Sequence, residues 1–151
     1  IHATGNTLNN VLTGNAANNT LTGGRGGDTY QLGRGSGTDT VIENDTTANT
    51  IDTAQFLTGI AADQIWFQHT GNNLEISIIG TTDKLIAKDW YLGNAYHIEQ
   101  FKTAGGLTLQ HSDVETLVNA MASFTPPGLG QTILPATYES SLDPVIASLW
   151  I

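Results

Sequence analysis

A nine-residue period in the opening third limits what this chain can fold into. Residues 5–31 divide without a gap into GNTLNNVLT, GNAANNTLT and GGRGGDTYQ. Each unit begins with Gly (Gly5, Gly14, Gly23) and has Asn or Asp sixth (Asn10, Asn19, Asp28). Each has an apolar residue eighth (Leu12, Leu21, Tyr30) and a polar residue ninth. After Gln31 the period loosens to LGRGSGTDTVIE, where Gly33, Gly35 and Gly37 precede Asp39 and Val41 follows. A unit this short cannot bury its apolar residue alone, so neighbouring units must stack and share one core. A flexible Gly/Asn/Thr-rich linker would have no reason to keep an apolar residue at a fixed period.

The residue types within the unit suit a hard cation. Calcium takes about six to eight oxygen ligands at about 2.3–2.6 Å. Backbone carbonyls can supply several where the chain turns through positive φ or comes close to the ion, and glycine allows both. The sixth position then adds a side-chain oxygen. The whole chain fits this chemistry: 14 Asp and Glu against 5 Lys and Arg give a net charge of −9. That charge argues against nucleic acid and anionic membrane surfaces as partners. With no cysteine there is neither a disulfide nor a thiolate metal site. No apolar run is long enough to span a membrane. The first residue is Ile and no signal peptide is visible, as expected of a piece of a larger protein.

Residues 23–31 match the pattern G-G-x-G-x-D-x-U-x at every fixed position, and the chain thereby resembles the C-terminal end of an RTX (haemolysin-type calcium-binding repeat) protein exported by type I secretion. The two earlier units depart from the pattern, with Asn10 and Asn19 in place of Asp. The resemblance implies a mainly β fold: a right-handed parallel β-roll of nonapeptide repeats, capped by antiparallel strands, with a short C-terminal helical tail. Two units make one coil, so loop 5–10 faces loop 23–28 and loop 14–19 faces loop 33–39. Candidate calcium ligands are therefore Asn10 with Asp28 and Asn19 with Asp39, together with backbone oxygens of Gly24, Arg25, Gly26, Gly33, Gly35 and Gly37. About two sites are expected, weakened by the uncharged Asn residues and by Arg25 and Arg34 nearby. Glu43, Asp45 and Asp52 form either a further calcium site, with Asp45 and Asp52 as ligands, or an acidic surface loop.

The glycines thin out from about residue 45. DQIWFQH and LEISII read as a hairpin, KLIAKDW as a further strand, and HIEQFKT with LTLQ as a second hairpin. These pieces resemble the domain that follows the repeats in RTX proteins. One of Trp66 and Phe67 should face outward in an alternating strand. Ser112 with Glu115 predicts a capping box for a helix over 112–124. Asp143 and Pro144 predict the start of a second helix. That apolar terminus is either the type I secretion signal, a helix docked on the cap, or both.

No G-x-S-x-G, H-E-x-x-H or phosphate-loop pattern is present, and His2, His69, His97 and His111 have no partner at metal-ligand spacing. Trp66, Phe67, Trp90, Tyr91 and Tyr96 pack in a core or form a sugar-stacking platform. The resulting expectation has a calcium-binding roll over 1–43, an antiparallel cap over 44–111 and a tail over 112–151. The module is not an enzyme. It folds on calcium and carries an export signal, with a surface-attachment or polysaccharide-binding module as the alternative. Its expected partners are calcium, the type I secretion machinery and upstream repeats of the same protein. The expected location is outside, or on the surface of, a Gram-negative bacterium.

Overall fold

Five short strands carry the period into three dimensions: β1 (His2–Thr4), β2 (Val11–Thr13), β3 (Thr20–Thr22), β4 (Thr29–Leu32) and β5 (Thr38–Val41). The computed structural model describes residues 1–151. Successive strands alternate between two sheets, so each pairs in parallel with the strand two along. His2 faces Thr20 and Val11 faces Thr29, a coil of 18 residues. From β3 to β5 the coil lengthens to 20, with Thr20 opposite Thr40, which is where the sequence period loosens.

The parallel stack does not stop at residue 43. Strand β6 (Thr53–Phe56) lies parallel beside β4, and β9 (Lys84–Ala87) lies parallel beside β5. Strand β10 (Gln100–Lys102) is parallel to β6. Antiparallel pairing is confined to β7 (Ile65–Thr70), β8 (Asn73–Ile78) and β9, and to β10 with β11 (Thr108–Gln110). The region after residue 44 is therefore part parallel extension and part antiparallel closure. The sheet orders are β1-β3-β5-β9-β8-β7 and β11-β10-β6-β4-β2.

Apolar residues of both sheets meet in one core. Register stacks Leu12 on Tyr30, Tyr30 on Ala54 and Ala54 on Phe101 in one sheet, and Leu21 on Val41 and Val41 on Ala87 in the other. Tyr30 is fully buried, as the inward eighth position requires.

Two helices follow, α1 (Val114–Met121) and α2 (Ala136–Leu149). They close the sheet edges left open by the late strands. Met121 Sδ accepts the Phe67 N–H of edge strand β7 at 3.2 Å. Ile151 exchanges two backbone hydrogen bonds with Thr108 of edge strand β11. Covering an edge in this way removes a template for unwanted pairing. No helix is long and apolar enough to cross a membrane.

Two local expectations are corrected, and a third, the alternation of Trp66 and Phe67, holds with the outer residue covered. Helix α1 begins at Val114 after a tight turn over His111–Asp113, and no side chain caps it, so Ser112 and Glu115 form no capping box. Helix α2 begins after Pro135 and runs through Pro144, because Leu142 and Ile146 on either side of the proline are buried against the core. Trp66 and Phe67 are both buried. Phe67 faces the core, 5.3 Å from Phe101, while the outer face holding Trp66 is covered by the tail through Tyr138.

Candidate metal centre

The sixth residue of each unit sits immediately before a strand, and its side-chain oxygen folds back over its own loop. Asn10 Oδ1 accepts the Asn6 N–H at 2.8 Å. The first glycine makes room for this. A Cβ on Gly23 would collide with Asp28 Oδ2 and the Tyr30 hydroxyl, and one on Gly5 with Asn10 Oδ1 and the Gly23 carbonyl. Gly24 and Gly26 sit at φ of +108° and +104°, a region strained for any L side chain.

These pre-strand residues form a ladder along one sheet. The Asn10 N–H donates to Asp28 Oδ1 at 2.8 Å, the Asp28 N–H to Asp52 Oδ1 at 2.7 Å, and the Asp52 N–H to Glu99 Oε2 at 2.8 Å. The other sheet carries a shorter series. The Asn19 N–H donates to Asp39 Oδ1 at 3.0 Å, and the Gly35 and Gly37 N–H groups donate to the Asp83 carboxylate at 2.9 Å each. The structure thus brings Asn10 beside Asp28 and Asn19 beside Asp39.

At one rung the carboxylates converge. Oxygens of Asp28, Glu43 and Asp52 lie within 4.8 Å of one another, and all three side chains are buried. Asp28 Oδ2 and Glu43 Oε2 have no hydrogen-bond partner, nor does Asp39 Oδ2 on the other sheet. The Tyr30 hydroxyl accepts the Gly23 N–H at 2.9 Å and donates to Glu43 Oε1. No lysine or arginine neutralises the cluster. The single side-chain ion pair, Lys84–Glu75, is elsewhere, and Arg25 and Arg34 are exposed.

Electrostatics follow from this packing. Burial, reinforced by Asp52, Asp28 and Glu99, pushes the Glu43 carboxyl up to about 8, against the Tyr30 hydrogen bond. Burial pushes Asp52 up to about 7, with Glu99, Asp28 and Asp45 adding to it against the Asp28 N–H. Burial also raises Asp28 and Asp39, each partly offset by the backbone N–H it accepts. Burial, then Glu43, holds the Tyr30 phenol far above its ordinary range. Such a site stays charged only with a compensating cation. Unpartnered carboxylate oxygens in a fully buried cluster fit a hard, oxygen-seeking ion such as calcium.

The remaining sequence candidates divide. Asp52 joins the cluster, so it is no surface-loop residue, and neither is Glu43. Asp45 instead binds its own loop through the Thr47 N–H and hydroxyl and reaches the Gly26 N–H at 3.2 Å. The Gly24, Arg25, Gly26 and Gly35 carbonyls accept no backbone hydrogen bond, whereas Gly37 O accepts the Lys84 N–H and Gly33 O the Ser36 N–H. Asp83 and Glu99 escaped the sequence reading. Each follows the pattern set by Asp28, one residue or nearly so before a parallel strand, but outside any nonapeptide. The aromatic platform does not assemble: Trp66, Phe67 and Trp90 are buried.

Residues 73–113 match the model of the haemolysin-type calcium binding protein related domain. The match supports an RTX-like calcium-binding region. The matched segment runs from β8 through β11 and supplies Asp83 and Glu99, the last carboxylates in both series.

Proposed function

We propose that the chain is a non-catalytic calcium-binding module of the RTX type, whose stacked coils form a right-handed parallel β-roll that folds on calcium binding outside the cell. The buried, uncompensated Asp28–Glu43–Asp52 cluster carries this reading. Without a cation these groups either hold protons or repel one another, and both weaken the fold near neutral pH. With calcium, binding energy becomes folding energy. At about 5 mM calcium and a Kd of about 10⁻⁴–10⁻³ M, each site contributes about 1–2 kcal/mol. The Asp28–Asp52 step is the stronger site, because Asn10 and Asn19 lower the charge of the preceding ones.

The tail fits an export signal read before folding. Trp150 is buried and Ile151 is paired with Thr108, so in the folded chain this end is occupied. Only an unfolded, calcium-free chain presents it freely to a type I exporter. The experiment is a circular-dichroism titration of the full chain from excess chelator into calcium. A cooperative gain in β-signal is expected. Equal spectra in chelator and in millimolar calcium overturn the folding switch.

A further inference from the structure

Three of the four histidines line one cavity of about 550 Å³, His69, His97 and His111, beside Tyr91 and Glu115. Two of them meet directly: His97 Nδ1 and His111 Nδ1 are 2.9 Å apart. His97 Nε2 lies 3.0 Å from the Trp90 carbonyl oxygen, which can only accept, so this nitrogen carries the proton. In the neutral ring Nδ1 is therefore a bare lone pair. It points at His111 Nδ1, which must supply the bridging hydrogen.

That bridging position suits a metal ion as well as a proton. Tetrahedral zinc with Zn–N of about 2.0–2.1 Å holds two nitrogens about 3.3–3.4 Å apart. Replacing the hydrogen requires the His111 proton to move from Nδ1 to Nε2, so that both neutral rings offer an Nδ1 lone pair, together with opening the pair by about 0.4 Å and tilting one ring. His97 is the fixed member. Its ring stacks on Trp90 at 4.0 Å and 14°, and its Nε2–H is anchored to a carbonyl, the outer-shell contact that metal-ligating histidines commonly make. His111 is the adjustable member, half-buried on a turn with no other side-chain hydrogen bond. Glu115 lies one helical turn beyond His111, its carboxylate held by the Tyr91 hydroxyl at 3.2 Å, and no lysine or arginine lines the cavity.

The geometry points to a second class of cation site: His97 Nδ1 and His111 Nδ1 together bind one borderline divalent ion (zinc, copper(II) or nickel), with the remaining coordination positions open to the cavity. Imidazole nitrogens select these ions over calcium, the reverse of the oxygen cluster's preference. The site does not depend on the calcium reading.

The test titrates zinc chloride into the full chain in excess calcium chloride, which keeps the oxygen cluster filled, and follows the histidine ring nitrogens by NMR. One equivalent is expected to shift both His97 and His111 and to leave His2 unmoved. His111→Gln, at a half-buried turn, is expected to weaken zinc at least about tenfold, while His2→Gln, outside the cavity, stays within about twofold. Copper(II) bound to the same protein is expected to show two nitrogen couplings by electron paramagnetic resonance. Rings unmoved by excess zinc, unchanged affinity in His111→Gln, or a copper signal with oxygen ligands alone overturns the proposal.

Discussion

Acidification should strip calcium from the Asp28–Glu43–Asp52 cluster by a defined number of protons. With Glu43 near 8 and Asp52 near 7 in the cation-free fold, binding one calcium displaces about two protons at pH 6 and about a tenth of one at pH 9. Integrated between those values, affinity rises about a thousandfold. Glu43→Gln removes the higher of the two titrations, so release at pH 6 falls to about one proton and the rise shrinks to about tenfold. The sign for cation-free stability is opposite. Both carboxyls have folded values above their ordinary ones, so their contribution is fully present below about pH 4 and is lost as pH rises through about 7–8. Calorimetry in two buffers of different ionisation enthalpy counts the protons, and chelator competition measures the affinity. Proton release that is flat from pH 6 to 9, or identical in Glu43→Gln, refutes the assignment of the cluster as the calcium site.

Other substitutions separate the roles of neighbouring groups. Tyr30→Phe keeps the ring but leaves Glu43 Oε1 and the Gly23 N–H without their partner. It should weaken calcium by about 1.5–3 kcal/mol, and a calcium titration in the Glu43→Gln background should show little additional loss. Asp28→Ala should lower the calcium-dependent gain in melting temperature more than Asn10→Ala, since Asp28 faces both Asn10 and Asp52. Trp150→Ala empties the space against Phe56 and Phe67 and should cost about 3–5 kcal/mol in denaturant unfolding with calcium present.

How much of this was legible in the sequence depends on distance along the chain. The nonapeptide period marks the stacking units, and the RTX resemblance, which implies two units per coil, gives the two alternating sheets and the Asn10–Asp28 and Asn19–Asp39 neighbours. Glu43, Asp83 and Glu99 carry no such mark. Asp52 contacts Glu99 across 47 residues and Gly37 contacts Asp83 across 46, spans filled by hairpins whose length no local pattern reveals. The His97–His111 pair was hidden for a milder reason. Its separation of 14 closes only once β10 and β11 pair with Gln100 opposite Gln110, which brings the residues flanking both strands together. The run of α2 through Pro144 is a case of burial overriding a local stop signal.

The ladder also has a direction. At each rung a backbone N–H of an earlier coil is held by a carboxylate of a later one: Asn10 by Asp28, Asp28 by Asp52, Asp52 by Glu99. Backbone carbonyls run the other way, the Thr29 N–H donating to Asn10 O, the Thr53 N–H to Asp28 O and the Gln100 N–H to Asp52 O, so only the carboxylate anchors have this polarity. A side-chain substitution at Asn10 therefore removes no carboxylate anchor from a later coil, whereas one at Glu99 leaves the Asp52 N–H without its acceptor. The carboxylate anchors thus tie each coil to the one that follows it, so the acid that holds a coil's pre-strand residue in place is always supplied from further along the chain.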